Sequence, residues 1–334
     1  AYPRFRKADD ADVAISWLSA DALRGVNPKA LRIHSIQIND WMTCAYGFAE
    51  HVDVYVAASN EHKKWLHSVP HHPGPDAQWE IIPNGVDLKR FQSTEKKQPL
   101  RFVHASSPDR GLHWLLYMWP EIRFAFPDAE LHVYYEFKKW VAGFPDKPNS
   151  EPAMRAMYIT GKLNAWGGQG KHGVYLHGAV APEILAPELQ KSDIMLYPCD
   201  PVRPTEGFGV AVMESMAAGV VPVITDADAF SEIYGDSGAV VVPRNDRRWV
   251  DNFIDAVIGL AKNREDLEAR RHQVTEFAKG YDWDIVAKKW QDMLERRLNQ
   301  KTELRVDSRV LEPFSVCGPP ISARGPAGGF GPPC

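Results

Sequence analysis

Short apolar runs rich in β-branched residues recur along this chain, and the stretches between them carry helical spacing or turn residues. That alternation is the mark of a parallel sheet with helical crossovers. Between residues 11 and 83 the runs DVAISWL, LRIHSI, VDVYVAAS and WEIIP predict strands. PNGVDLKRF (Pro83 to Phe91) reads as a turn and the charged stretch STEKKQP as a linker, so a domain boundary falls near Gln98. From Leu100 the alternation restarts more strongly. LRFVHAS, AELHVYYEF, VYLHG, DIMLYP, VVPVIT and GAVVVP predict six strands. Helices are expected over Leu112 to Phe126, near Glu151 to Leu163, over Pro182 to Lys191 and from about Gly209 to Ala218.

Past Asn245 only helical patterns remain. In YDWDIVAKKWQDMLERRL the residues Ile285, Val286, Trp290, Met293 and Leu294 recur at helical spacing and predict a helix with one face on the protein body. The stretch from Ser315 is dominated by Gly and Pro and is expected to be disordered. The organisation expected is therefore a shorter αβ unit over residues 1–97, a complete open α/β domain over 98–280, a terminal helix over 281–304 and a Gly/Pro tail over 305–334.

Composition narrows the partners. With 44% hydrophobic and 25% charged residues in 334, the chain has material for two globular domains. A formal charge of -4 gives no reason to expect nucleic acid or an acidic membrane surface as the main partner, and peripheral membrane contact is not indicated. Cys44, Cys199, Cys317 and Cys334 lie far apart with no C-x-x-C pair, so they read as free thiols of a reducing cytoplasm. No run of about 18 apolar residues and no signal-peptide pattern is present, and a cytoplasmic location is expected.

The stretch YPCDPVRPTEGFGVAVMESMAAGVVP (Tyr197 to Pro222) carries the chemistry. It follows a buried-type strand, and in an open α/β sheet ligands bind beyond the carboxyl ends of the strands. Gly207 and Gly209 let backbone approach a ligand, and the helix that follows points N–H groups at it, an arrangement suited to a diphosphate. Glu206 in the loop and Glu214 eight residues later in the helix can face one cleft, where carboxylates suit the vicinal hydroxyls of ribose and hexose. Read singly, Glu214 complements the helix dipole and Glu206 is a solvated loop charge. The combination with both glycines and the preceding strand favours the ligand site.

EGFGVAVMESMAAGVVPV resembles the signature of the family 4 glycosyltransferases and their GT-B relatives, two glutamates separated by seven residues within a Gly-rich frame. The resemblance covers roughly residues 30 to 300. It implies a GT-B fold, with two Rossmann-like domains facing a cleft and residues 1–97 as an incomplete acceptor-side domain. It implies a retaining enzyme that moves a sugar from a nucleotide-diphosphate-sugar to a hydroxyl of a glycan, lipid or small molecule, with no cofactor and no metal. Carried onto this chain, Glu206 contacts the donor sugar, the amides of Gly207, Phe208, Gly209 and Val210 line the sugar and phosphates, and Glu214 binds the ribose. TDADAFSEI places Glu232 where the family often has a glutamate. RFVHASSPDRGLHWLLYMWP matches the first strand and helix of the nucleotide half, where Arg110-Gly111 stands for the usual lysine-glycine on the diphosphate. The arginine usual after that strand is replaced by Ala105 or Ser106, which hands its role to the hydroxyls of Ser106 and Ser107 or to another base. HGAVAPEIL places Gly178 at the edge of the base.

His34, at the end of a first-domain strand, is a further candidate for touching substrate. His62, His67, His71 and His72 are read as a surface loop rather than a metal site. HWLLYMWP is read as helix core rather than a carbohydrate platform. A dinucleotide dehydrogenase is disfavoured because Val212 occupies the third glycine place of G-x-G-x-x-G. A non-catalytic nucleotide-sugar or glycan-binding module is the alternative function.

Overall fold

The computed structural model describes residues 11–17, 19–37, 50–68, 73, 77–93, 95–142, 150–166, 170–201 and 204–310. All four apolar runs of the first half form strands: β1 (Val13–Ser16), β2 (Leu31–Ser35), β3 (Val54–Ala57) and β4 (Trp79–Ile81). They pair in parallel in the order β1-β2-β3-β4. The two-residue period of a strand sorts the side chains. Leu31, Ile33, Val54 and Val56 build the core of one face, and Tyr55, Ala57 and Ile36 pack on the other with Leu66 of helix α1 (Asn60–Ser68).

All six runs of the second half also form strands: β5 (Arg101–His104), β6 (Glu130–Val133), β7 (Val174–Leu176), β8 (Ile194–Tyr197), β9 (Val221–Thr225) and β10 (Val240–Val242). The sheet is parallel throughout, in the order β10-β9-β8-β5-β6-β7. Its central strands β5, β8 and β9 are buried along their whole length, as required when helices cover both faces. The chain steps outward from β5 to β7 and then returns to place β8 on the other side of β5. That reversal opens a crevice at the carboxyl ends of β5 and β8. Helix α2 (Leu112–Ala125) buries Leu115, Leu116, Met118 and Trp119 in the core as expected, while Tyr117 of the same stretch is 56% exposed.

The two segments that join the halves are tied to each other. Val86 N–H donates to Tyr281 O at 2.8 Å, and Trp283 N–H donates to Val86 O at 3.1 Å. The terminal helix, Trp283–Val310, then runs back under the first sheet, where Val286 and Met293 join its core. Ile285 does not belong to that face, since it is 44% exposed. The helix runs past residue 304 to Val310, and on the way Arg296 and Arg297 pair with Glu80 and Lys301 with Asp53 of the first half. The Gly/Pro stretch from Ser315 lies outside the described residues, as do Cys44, Cys317 and Cys334.

Candidate functional site

The loops that follow β5 and β8 meet at the crevice, and one hydrogen-bonded chain runs through them. Ser106 Oγ lies 2.9 Å from Tyr197 Oη, Tyr197 Oη donates to Glu206 Oε1 at 3.0 Å, and Arg110 Nε stands 3.4 Å from the same oxygen. Arg110 Nε also reaches Ser107 Oγ at 3.3 Å. Four residues singled out in the sequence thus converge, and Tyr197, last residue of β8, joins them. In the sequence alone Tyr197, at the end of a buried-type strand, reads as core. Its usable signal is the phenol, which needs a partner when fully buried.

Glu206 is only 6% exposed. Burial raises its pKa, and Arg110 and the Tyr197 hydrogen bond pull the other way without cancelling it. For Arg110, burial opposes the cation, but Glu206 and Asp109 outweigh it and raise the pKa. Burial, then Glu206, pushes the Tyr197 phenol far above its ordinary value, so it remains a donor. Arg110 Nη1 is buried with no hydrogen-bond partner, an unmet donor beside the carboxylate.

The loop backbone is braced from below. Asp228 Oδ2 accepts from the N–H groups of Thr205 (2.7 Å) and Glu206 (2.9 Å). Tyr234 Oη lies 2.9 Å from Phe208 O and 3.0 Å from Gly209 O. Gly209 precedes helix α6 (Val210–Ala217) with φ +80°, and a Cβ there would stand 2.5 Å from the ring of Phe230. Neither condition admits a side chain, so the glycine delivers the loop to the helix N-terminus. Elsewhere on the rim Arg155 donates to Asp109 O (3.0 Å) and Asp200 O (2.8 Å), while Trp114 and Arg244 hold the Asp200 carboxylate. These arginines brace loops.

The first half closes over this site. Ser59 Oγ donates to Gly207 O at 2.8 Å, and a Cβ on Gly207 would stand 2.9 Å from His62 Nδ1, so the glycine allows the imidazole to lie on the loop. The Glu232 carboxylate accepts from Asn60 N, Asn60 Nδ2 and Glu61 N at 2.9, 2.9 and 2.7 Å, capping α1 from the opposite half. His62 is therefore not a surface-loop histidine. It lies on α1, 2% exposed, because the helix turns it against the second half, and burial lowers its pKa to about 4. His67 is on the same helix, and His71 and His72 lie outside the described residues. Among the described residues no three His, Cys, Asp or Glu side chains are grouped to hold a metal ion.

Glu206 and Glu214 both face the space between the halves, but through different cavities. Glu206 lines one of about 250 Å³, whose other wall is α1. Glu214 shares one of about 310 Å³ with Val210, one turn before it on α6, and with Gly85, Arg90 and Trp283 of the joining segments. Burial raises the Glu214 pKa, and Arg90 opposes it. Gly178 follows β7 with φ +73°, and a Cβ there would meet open space. His34 is 0% exposed, lies 2.7 Å from Ser16 Oγ through Nδ1, and lines neither cavity.

Residues 100–263 match the family described as Glycosyl transferases group 1. The phosphatidyl-myo-inositol mannosyltransferase of Mycolicibacterium smegmatis is 26% identical over 215 residues, covering 62% of this chain and 49% of that protein. A GDP-mannose:cellobiosyl-diphosphopolyprenol alpha-mannosyltransferase of Xanthomonas campestris is 34% identical over 88 residues, 26% of this chain and 23% of that protein. The chain thus spans about half the length, or less, of these curated relatives. In fold, a trehalose-6-phosphate synthase superposes with a TM-score of 0.62 at 15% identity, over 88% of this chain and 73% of its own. The sucrose-phosphate synthase of Thermosynechococcus elongatus gives 0.61 at 14%, over 81% and 69%. No helix among the described residues is long and apolar enough to cross a membrane. The crevice between two parallel-sheet halves, with the paired glutamates at its switch point, is the arrangement of the GT-B fold, and the half that carries it is similar to the Glycosyl transferases group 1.

Proposed function

We propose that this protein transfers a sugar from a nucleotide-diphosphate-sugar to an acceptor hydroxyl with retention of anomeric configuration. The observation that carries the reading is the buried Arg110–Glu206 pair at the β5/β8 crevice, with Arg110 Nη1 still unpartnered. A guanidinium donor without a protein acceptor, beside the N-terminus of α6, suits the oxygens of a diphosphate. As the bond from the anomeric carbon to the phosphate oxygen breaks, charge grows on the diphosphate and the sugar ring becomes cationic. Arg110 and the α6 amides stabilise the first, and Glu206 accepts hydroxyl hydrogen bonds from the second. Retention requires attack from the face the diphosphate leaves, so the departing phosphate oxygen is the nearest base for the acceptor proton. The names of both curated relatives carry mannose, which makes a mannosyl nucleotide the first donor to test.

Calorimetry with GDP and UDP, paired with turnover of their sugars, tests the reading. Glu206→Gln should leave nucleoside diphosphate affinity within about twofold while lowering turnover on the order of a hundredfold, because the lost contacts belong to the transition state. Glu214→Ala should weaken nucleoside diphosphate binding by roughly 1.5–3 kcal/mol if its carboxylate holds the ribose. Glu206→Gln with weakened nucleotide binding and intact turnover would remove Glu206 from the sugar.

A further inference from the structure

The cavity beside Glu206 has a second wall that the donor reading does not use. Glu61, Lys64, Trp65 and Ser68 recur at helical spacing along one side of α1 and face Pro204, Glu206 and Asp228 across it. His62 completes that wall, and its hydrogen bonding is half finished. Nδ1 accepts from Ala58 N–H at 3.3 Å, which assigns the ring proton to Nε2. Nε2 is buried with no partner. A neutral imidazole is thus held with its N–H unmet, next to the loop that carries Glu206.

The charge of the lining selects what can enter. Glu61, Glu206 and Asp228 contribute three carboxylates, and two cations answer them, Lys64 at 3.1 Å from Glu61 and Arg110 at 3.4 Å from Glu206, so the lining stays net negative through Asp228. A phosphate or carboxylate ligand would add to that negative charge, whereas hydroxyls donate to carboxylates. Trp65 adds an aromatic surface of the kind that covers the apolar face of a sugar ring.

Resting on the transferase reading above, we propose that this cavity holds the acceptor as an uncharged polyhydroxylated ring, a sugar or cyclic polyol unit, with Trp65 against its face and His62 Nε2–H donating to one of its oxygens. Specificity for the accepting unit then lies on α1, and any charged or lipid portion of a larger acceptor must lie outside the cavity.

The probes are methyl glucoside, methyl galactoside and methyl mannoside, each with its 6-phosphate, titrated by saturation-transfer NMR into the full chain saturated with GDP or UDP. At least one neutral glycoside should bind, with its 6-phosphate about tenfold weaker. His62→Ala and Trp65→Ala should each lower that binding about tenfold, a lost hydrogen bond or ring contact. His62→Gln, which restores an N–H donor, should recover part of the loss. All three variants should bind the nucleoside diphosphate within about twofold of wild type, which shows that they fold. Preference for the 6-phosphate, absence of any glycoside signal with nucleotide bound, or unchanged glycoside binding in His62→Ala would each overturn the proposal. A wild-type chain that binds neither GDP nor UDP overturns the donor reading instead.

Discussion

Removing Arg110 should make the stability of this site fall more steeply as pH rises. Glu206 is nearly inaccessible, and Arg110 Nε at 3.4 Å is its charged partner. At an effective dielectric of about 20 that separation corresponds to roughly 5 kcal/mol of attraction. Breaking a buried pair from one side typically costs about 3–5 kcal/mol. In Arg110→Ala the carboxyl can escape this cost by taking a proton. From its ordinary pKa of 4.5, protonation costs about 5 kcal/mol at pH 8 and about 1 kcal/mol at pH 5. A carboxyl whose folded pKa is raised binds more protons folded than unfolded. Stability therefore falls as pH climbs from the unfolded pKa toward the folded one. Urea denaturation should show Arg110→Ala weakened by about 3–5 kcal/mol at pH 8 but by only about 1–2 kcal/mol at pH 5, the remainder being the Ser107 hydrogen bond and lost packing. Adding Glu206→Gln removes the stranded charge and should return about 2 kcal/mol at pH 8. Equal losses at both pH values, together with strict additivity in the double variant, would refute a charge-based account of this pair.

Two further substitutions probe the loop and the closure of the halves. Gly209→Ala introduces a Cβ 2.5 Å from the buried Phe230 ring at φ +80°, so it should lower stability by about 2–3 kcal/mol in the same denaturation assay, whereas a loss below about 0.5 kcal/mol would contradict the assigned backbone. Glu232→Ala removes the carboxylate that caps α1 from the other half, and should enlarge the radius of gyration in X-ray scattering and speed proteolysis near residues 60–68; unchanged scattering would show that the remaining contacts suffice.

Every strand among the described residues was legible in the sequence because each is a short apolar run rich in β-branched residues and bounded by turn residues, too short for a buried helix. The site was legible where it is contiguous. Glu206, Gly207, Gly209 and Glu214 lie within one loop and helix, and Ser106, Ser107 and Arg110 follow one strand. What escaped came from chain-distant pairing. Asp228 braces Glu206 from 22 residues away, and Ser59 reaches Gly207 across 148. Strand order was equally invisible, since a local pattern does not say on which side of β5 the chain returns. His62 illustrates the failure most directly. Counted along the chain it is one of four histidines near two prolines, and its burial follows only from the docking of α1 on the opposite half.

That docking explains why so many polar groups in this crevice are already committed before any ligand arrives. Hydrogen bonds and ion pairs gain strength in a low dielectric, and the same low dielectric penalises any member left unpaired. Tyr197, Ser106, Ser107 and Arg110 share the task of holding Glu206 in one place, and Asp228 fixes its backbone. Among the buried donors left over are Arg110 Nη1 and His62 Nε2, one from each half of the molecule. A ligand with an anionic end and a hydroxylated end satisfies both only when the halves are together. Affinity for such a ligand and closure of the cleft are therefore coupled, and weakening the Glu232 cap should weaken the doubly engaged ligand more than a nucleotide held by the second half alone.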